Sequence, residues 1–293
     1  MDVVVIEPAG FCPGVKRAFE LALQTLKEKD KSVYLLGDLV HNRHAVVKLQ
    51  EEGVQFAEKP EEIPPGATVI TRSHGIEQDT IQKLQKRGVT IVDTTCPRVK
   101  KVRDLAQELE GKGYILLILG NSEHPEIRSL LSFLKNRPLV FKTEEEWSCF
   151  DFSPFRGKKI AVLTQTTFPR TLFEAFLRWK DEKWPQVVME VFHTLCAETE
   201  TRQTNLTRKI KEEKLTTVIV VGGQKSSNTA SLFLLAQREN VRTVWVEGWE
   251  ELTQEVFHLS EKIGIASGAS TPDWIVKQVF DWLRSRSCLG EKA

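Results

Sequence analysis

Short apolar runs alternate along the chain with longer stretches whose apolar positions recur every three or four residues. The first pattern predicts strands buried on both faces and the second amphipathic helices, so the chain reads as α/β with parallel sheets. Three of the strand-like runs lead to a cysteine: Val3-Val4-Val5-Ile6 to Cys12, Thr90-Ile91-Val92 to Cys96, and Val187 through Phe192 to Cys196. A helix-like segment follows each. Cys12-Pro13-Gly14-Val15-Lys16-Arg17 and Cys96-Pro97-Arg98-Val99-Lys100-Lys101 share the pattern C-P-x-V-K-basic, in which proline just past the turn marks a helix start. The third copy, from Cys196-Ala197, keeps the position and lacks the proline.

A second strand ends in glycine 24 to 26 residues beyond each cysteine, at Gly37, Gly120 and Gly222. Four residues past each glycine stands a polar side chain: His41 followed by Asn42, His124 with Glu126, and Ser226 followed by Ser227 and Asn228. A third strand in each copy runs into small polar residues: Val69-Ile70 into Ser73-His74-Gly75, Ile160 through Leu163 into Thr164-Gln165-Thr166-Thr167, and Ile263 through Ala266 into Ser267-Gly268-Ala269-Ser270. Parallel sheets carry functional groups at the carboxyl ends of their strands, where all these positions fall. The expected architecture is therefore three α/β units, residues 1–96, 97–193 and 194–293 with a C-terminal tail. Packed about a pseudo-threefold axis, they would bring one cysteine and two polar groups each to a shared cavity.

Composition narrows the chemistry. The 293 residues include 41 basic and 40 acidic side chains for a net charge of +1, which argues against a nucleic-acid binder. The longest apolar run, Ile115 to Leu119, is far short of the roughly 20 residues of a membrane span, and no leader pattern is visible, so the expected location is the cytosol. Five cysteines, an odd number, suit a reducing compartment better than a disulfide framework. Taken singly, each cysteine reads as a buried thiol. As a triplet in matching positions, Cys12, Cys96 and Cys196 read as ligands of one metal centre, while Cys149 and Cys288 fall outside the register and read as unligated.

The polar set of His41, His74, His124, Thr167, Ser226, Ser227, Asn228 and Ser270 offers neutral or switchable donors, which suits an anion such as phosphate. His44, His193 and His258 match nothing in the repeat and read as structural. Glu126, in His124-Pro125-Glu126, is either a first-turn carboxylate complementing the helix dipole or a proton donor. Thr143 with Glu144-Glu145-Glu146 is a capping box on a solvated helix. Neither G-x-x-x-x-G-K-[ST] nor G-x-G-x-x-G occurs, which disfavours nucleotide binding.

Together these residues resemble the 4-hydroxy-3-methylbut-2-enyl diphosphate reductase (IspH/LytB) family, and the resemblance runs the length of the chain. It is carried by Gly10-Phe11-Cys12-Pro13-Gly14-Val15, Val40-His41-Asn42-Arg43, Ser73-His74-Gly75, Asp93-Thr94-Thr95-Cys96-Pro97, His124-Pro125-Glu126, Thr164-Gln165-Thr166-Thr167, Cys196 through Arg202-Gln203, Ser226-Ser227-Asn228 and Gly268-Ala269-Ser270-Thr271-Pro272. The resemblance implies a monomeric trefoil of three α/β units around a 4Fe-4S cluster held by Cys12, Cys96 and Cys196, with one open iron. The implied reaction is reductive dehydroxylation of an allylic diphosphate to isopentenyl and dimethylallyl diphosphate, the last step of the methylerythritol phosphate route. Electrons would come from a ferredoxin or flavodoxin. By the same resemblance His41, His74, His124, Ser226, Ser227, Asn228 and Ser270 hold the diphosphate, Thr167 and Glu126 face the substrate hydroxyl, and Glu126 supplies protons.

Two stretches depart from the family pattern. Ile127-Arg128-Ser129 stands where a valine and then a glycine are usual, and Glu198-Thr199-Glu200-Thr201 adds carboxylates to a Thr-rich stretch. Two other classes compete with this reading. An iron–sulfur hydro-lyase would call for Arg or Lys clamps on a carboxylate substrate, and a scaffold with structural zinc would be colourless.

Overall fold

The structure is a computed structural model that describes residues 2–28, 32–254, 257–258 and 260–289. From the N-terminus, β1 (Asp2–Val5) leads through Cys12 into α1 (Pro13–Glu28), followed by β2 (Val33–Leu36), α2 (Arg43–Glu51), β3 (Gln55–Ala57), β4 (Thr68–Ile70), α3 (Gln78–Lys86) and β5 (Thr90–Val92). Cys96 opens α4 (Pro97–Gly111), then β6 (Ile115–Leu119), α5 (Pro125–Ser132), β7 (Leu139–Phe141), α6 (Glu144–Ser148), β8 (Lys159–Thr164), α7 (Arg170–Lys183) and β9 (Val188–Val191). Cys196 opens α8 (Ala197–Glu212), then β10 (Thr217–Val221), α9 (Ser227–Arg238), β11 (Arg242–Val246), β12 (Lys262–Ser267) and α10 (Asp273–Leu289). Among the described residues, no helix is long and apolar enough to cross a membrane.

The chain forms two compact units, one of residues 1–23, 38–53 and 197–293, the other of residues 24–37 and 54–196. In the first, β1, β12, β10 and β11 make a parallel sheet in that order, with Ile219 paired to Ile265 and Val3 to Ile263. Val218 and Val220 pack on Leu206, Ile210 and Leu232 of α8 and α9. Ile219 and Val221 pack with Ile275, Val279 and Leu283 of α10. With both faces covered by helices, every position of β10, Thr217 included, is buried, which is why its four following residues are all apolar and show no alternation.

The second unit contains two parallel sheets, ordered β3-β2-β4-β5 and β7-β6-β8-β9. Leu117 and Leu119 pack against Trp147, Phe152, Phe173 and Phe176, whereas Leu116 and Ile118 pack against Val102, Ala106, Ile127 and Leu130. The capping box at Thr143 and Glu146 is present at the start of α6.

The three sheets share one plan: the first strand after a cysteine's helix is central, the next lies outside it, and the fourth strand forms the far edge. That fourth strand is β5, β9 or β1, and each leads to a cysteine. The strand before Cys12 was expected within residues 1–96, but β1 pairs with β12 rather than with any of β2 to β5. Apolar periodicity identifies a strand without naming its partner, and β12 supplies the parallel edge that β4 and β8 supply to β5 and β9. Residues 38–53, which carry α2, likewise group with β10–β12 although β2 and β3 on either side belong to the other unit.

Leu117 is fully buried between β7 and β8, so Leu117→Ala is expected to cost about 2–5 kcal/mol. Leu234, 53% exposed, should tolerate alanine to within about 0.5 kcal/mol. Urea denaturation of the two variants checks the contrast.

Candidate active site

Each cysteine stands immediately before a helix, and its backbone N–H is used in the same way. The N–H of Cys12 donates to the Ala269 carbonyl, that of Cys96 to Ser73 and that of Cys196 to Thr166, each at 2.9 Å. Those acceptors lie two or three residues beyond β12, β4 and β8, the strands adjoining the edge strand that feeds the cysteine. The carbonyls of Cys12 and Cys96 accept the first helical hydrogen bonds, from Lys16 at 2.8 Å and Lys100 at 3.0 Å. Each cysteine therefore stands at the positive end of a helix dipole, which suits an anionic ligand atom. All three cysteines are half-buried, while Cys149 is exposed at the end of α6. The side chain of Cys288 lies outside the described residues.

In the second unit, His124 caps α5: its Nδ1 accepts the N–H of Glu126 at 3.2 Å. An accepting Nδ1 makes Nε2 the ring's proton-bearing nitrogen in the neutral form. The His74 ring meets that of His124 edge-on, with centroids 5.3 Å apart. Glu126, only 3% exposed, accepts two hydrogen bonds of 2.7 Å from Thr166, the N–H to Oε1 and the hydroxyl to Oε2. Burial raises its pKa above the usual carboxylate value, and the Thr166 hydrogen bonds oppose but do not cancel that shift. Thr167 is half-buried and accepts from Gln165 Nε2 at 2.9 Å. The hydroxyl nearest the carboxyl of Glu126 is thus that of Thr166, which the T-Q-T-T motif held without marking.

In the first unit, Ser226 caps α9 by accepting the Thr229 N–H at 3.3 Å, and Asn42 caps α2 by accepting those of His44 and Ala45. The polar positions just past Gly37, Gly120 and Gly222 therefore all begin helices, a placement suited to anions. Asn228 is 3% exposed, and neither its amide oxygen nor its amide nitrogen has a hydrogen-bond partner. An unsatisfied buried amide costs about 1–3 kcal/mol, a debt that an incoming polar ligand would remove. Ser270 donates to the His41 carbonyl at 3.4 Å. A Cβ on Gly223 would lie 2.1 Å from that same carbonyl, so only glycine lets these two loops meet. A cavity of about 250 Å³ opens there, lined among others by His41, Asn42, Gly223, Gln224 and Lys225.

His193 makes an edge contact with Phe173, and His258 is exposed with its N–H on Glu261. The departure at Ile127-Arg128-Ser129 is accommodated locally. Ser129 donates to the Ile76 carbonyl at 3.0 Å and Arg128 pairs with Glu77 at 2.8 Å. Missed by sequence reasoning, besides Thr166, are Gly223 and the two arginines that grip cysteine loops. Arg98 donates to the Leu195 carbonyl at 2.7 Å, and Arg202 to the Gly10 carbonyl at 2.9 Å.

A protonated Glu126 is favoured in the fold, so the stability it contributes is full below its ordinary pKa of 4.5 and is lost as the pH climbs through the raised value. Glu126→Gln should flatten that decline. Urea midpoints for both proteins from pH 4 to 8 measure it, and parallel curves would contradict the assignment.

The family model described as LytB protein matches residues 3–284. A 4-hydroxy-3-methylbut-2-enyl diphosphate reductase of Clostridioides difficile (strain 630) is 33% identical over 285 residues, 97% of this chain and 100% of that protein. One from Aquifex aeolicus (strain VF5) is 36% identical, covering 95% of this chain and 94% of the other. Among solved structures, the E-1-hydroxy-2-methyl-but-2-enyl-4-diphosphate reductase from Plasmodium falciparum superposes with a TM-score of 0.89 at 28% identity, covering 96% of this chain and 87% of that one. A second, (E)-4-hydroxy-3-methyl-but-2-enyl diphosphate reductase, described as the terminal enzyme of the non-mevalonate pathway, matches at 0.70 and 35% identity over 97% of this chain and 99% of that one.

Proposed function

The chain belongs to the LytB protein family, and on that premise we propose that it reduces 4-hydroxy-3-methylbut-2-enyl diphosphate to isopentenyl and dimethylallyl diphosphate. The observation that carries the reading is Glu126, a carboxyl held almost out of solvent with a raised pKa, in a family whose named reaction, a reduction that removes a hydroxyl, consumes protons. The balance is one substrate hydroxyl, two electrons and two protons, giving water and a new C–H bond.

Cys12, Cys96 and Cys196 are the ligands proposed for a 4Fe-4S group. The donor set fits: three half-buried thiols, each at a helix start with an identically tethered backbone. Three thiolates leave the fourth iron of a cubane open. When bound, such a group supplies electrons one at a time and a Lewis-acidic site for an oxygen ligand.

The chain's own residues do the rest. His124 presents Nε2–H because its Nδ1 is engaged as a helix cap, and Asn228 brings an unsatisfied amide. With His41, His74, Ser226, Ser227 and Ser270 they form the proposed set of donors for the diphosphate oxygens. Glu126, whose pKa burial raises, holds its proton more firmly than an exposed carboxyl and releases it toward the substrate, while Thr166 fixes both carboxylate oxygens and so determines which way the acid faces. Thr167 is proposed to face the substrate hydroxyl. The electron donor is proposed to be a ferredoxin or flavodoxin, the protein a monomer and its compartment the cytosol.

Anaerobic reconstitution followed by turnover with the allylic diphosphate and a reduced one-electron donor tests the reaction. Glu126→Gln should retain iron, sulfide and diphosphate binding yet lose product formation, and full turnover would remove Glu126 from the proton path. Asn228→Ala should raise KM about tenfold or more, given that a hydrogen bond to a charged group contributes about 1.5–3 kcal/mol. Cys96→Ser should lose the brown colour while Cys149→Ser retains it; the reverse would refute the ligand set.

A further inference from the structure

Arg202 is a guanidinium buried to 3% exposure in α8, and two of its three nitrogens are committed. Nη1 donates to the carbonyl of Ser267 at 2.9 Å and to its hydroxyl at 3.2 Å, and Nη2 donates to the Gly10 carbonyl at 2.9 Å. The Gly10 N–H returns to Ser267 Oγ at 2.9 Å. Gly10 has φ of +78°, and a Cβ there would lie 1.8 Å from Asp273 Oδ1, so this backbone admits only glycine. The knot fastens the loop two residues before Cys12 to the end of β12. The third nitrogen, Nε, is buried and has no hydrogen-bond partner.

A buried cation normally spends every donor, because each one withheld costs desolvation without return. Glu198 approaches only to 4.0 Å and is partly exposed, so it does not neutralise Arg202 fully. The Nη2 bond to Gly10, two residues before Cys12, sets the guanidinium at the cysteine's own loop; burial lowers the pKa of Arg202, and Cys12 is the foremost influence opposing that shift. Donors aimed at sulfur and positive charge beside an iron–sulfur group both raise its reduction potential.

We propose that Arg202 is a positioning residue for the iron–sulfur group: its Nη atoms clamp the Cys12 loop, and its spare Nε–H and fixed charge serve the sulfur atoms on the Cys12 side, raising the reduction potential. This rests on the iron–sulfur reading above. Arg98 provides an internal comparison, since it clamps the Leu195 carbonyl beside Cys196 with a single hydrogen bond and is only half-buried.

Iron and acid-labile sulfide in the reconstituted parent come first, and their absence would overturn the iron–sulfur reading itself. With the group present, a redox titration followed by electron paramagnetic resonance should place the midpoint of Arg202→Gln at more negative potential than the parent, and that of Arg98→Gln closer to it. An Arg202→Gln protein that holds the group at the parental potential overturns the proposal. If that variant does not hold the group, the parent and Arg98→Lys, both labelled with [15N]arginine, decide the matter. A hyperfine coupling from arginine nitrogen to the reduced group, present in both, supports the assignment, and its absence in both, or its loss in Arg98→Lys, overturns it.

Discussion

A parallel strand that ends at the rim of its sheet leaves backbone donors with no ladder to join, and loops at that rim hold their shape only if those donors find acceptors elsewhere. Here the N–H of Cys12, Cys96 and Cys196 each finds the carbonyl just past the neighbouring strand. The placement of each sulfur follows from that bond, because the next residue already begins a helix and the preceding ones are still leaving the edge strand. Three cysteines more than 80 residues apart in sequence thus share a local geometry that no short motif could impose. Two arginines also hold these loops: Arg98 and Arg202 donate to the carbonyls of Leu195 and Gly10, one and two residues before Cys196 and Cys12.

Against this backbone frame the buried polar groups are costly, and their pattern is informative. Among the described residues Glu126 is desolvated with Thr166 alone to bind its oxygens, Asn228 is enclosed with an idle amide, and Arg202 keeps one donor unspent. A fold selected for stability alone would replace such groups with apolar ones of similar shape, often at no loss. On the roles proposed above, each awaits an incoming partner: a proton acceptor for Glu126, an anion for Asn228 and a sulfur-rich group for Arg202. Stability is thereby lowered at the sites where binding can restore it.

Much of this was legible in the residue pattern, for identifiable reasons. Both faces of β6, β8, β10 and β12 are covered, so their strands appear as unbroken apolar runs, and the polar residues past Gly120 and Gly222 mark helix starts because only side-chain acceptors can cap them. The partner of β1 was not legible, since parallel pairing depends on contacts some 260 residues away that leave no periodic trace. Nor was the distinction between Thr166 and Thr167, adjacent residues of the same type whose roles separate only when the turn after β8 aims one at Glu126. The Ile127-Arg128-Ser129 departure likewise looks disruptive in sequence. In space the Ser129 hydroxyl occupies the volume beside Gly75, whose φ of +81° keeps that position free of a side chain, and bonds the Ile76 carbonyl.

The same hydrogen-bond accounting weighs between a reductase and a hydro-lyase, which would share the thiolates. A hydro-lyase acting on a carboxylate needs guanidinium forks with both Nη groups available. Arg202 directs both of its Nη groups at backbone carbonyls, Arg98 directs one, and Arg128 is paired with Glu77. The groups that cap or open α5 and α9 are neutral: the His124 ring, the Ser226 hydroxyl and the Asn228 amide. Neutral donors at helix N-termini bind phosphate oxygens well, because the dipole supplies the positive potential without a formal charge to desolvate. They also leave the negative charge of a diphosphate only partly compensated. Near such a charge Glu126 would hold its proton more firmly still, which is the condition a proton donor to a reduced allylic carbon requires.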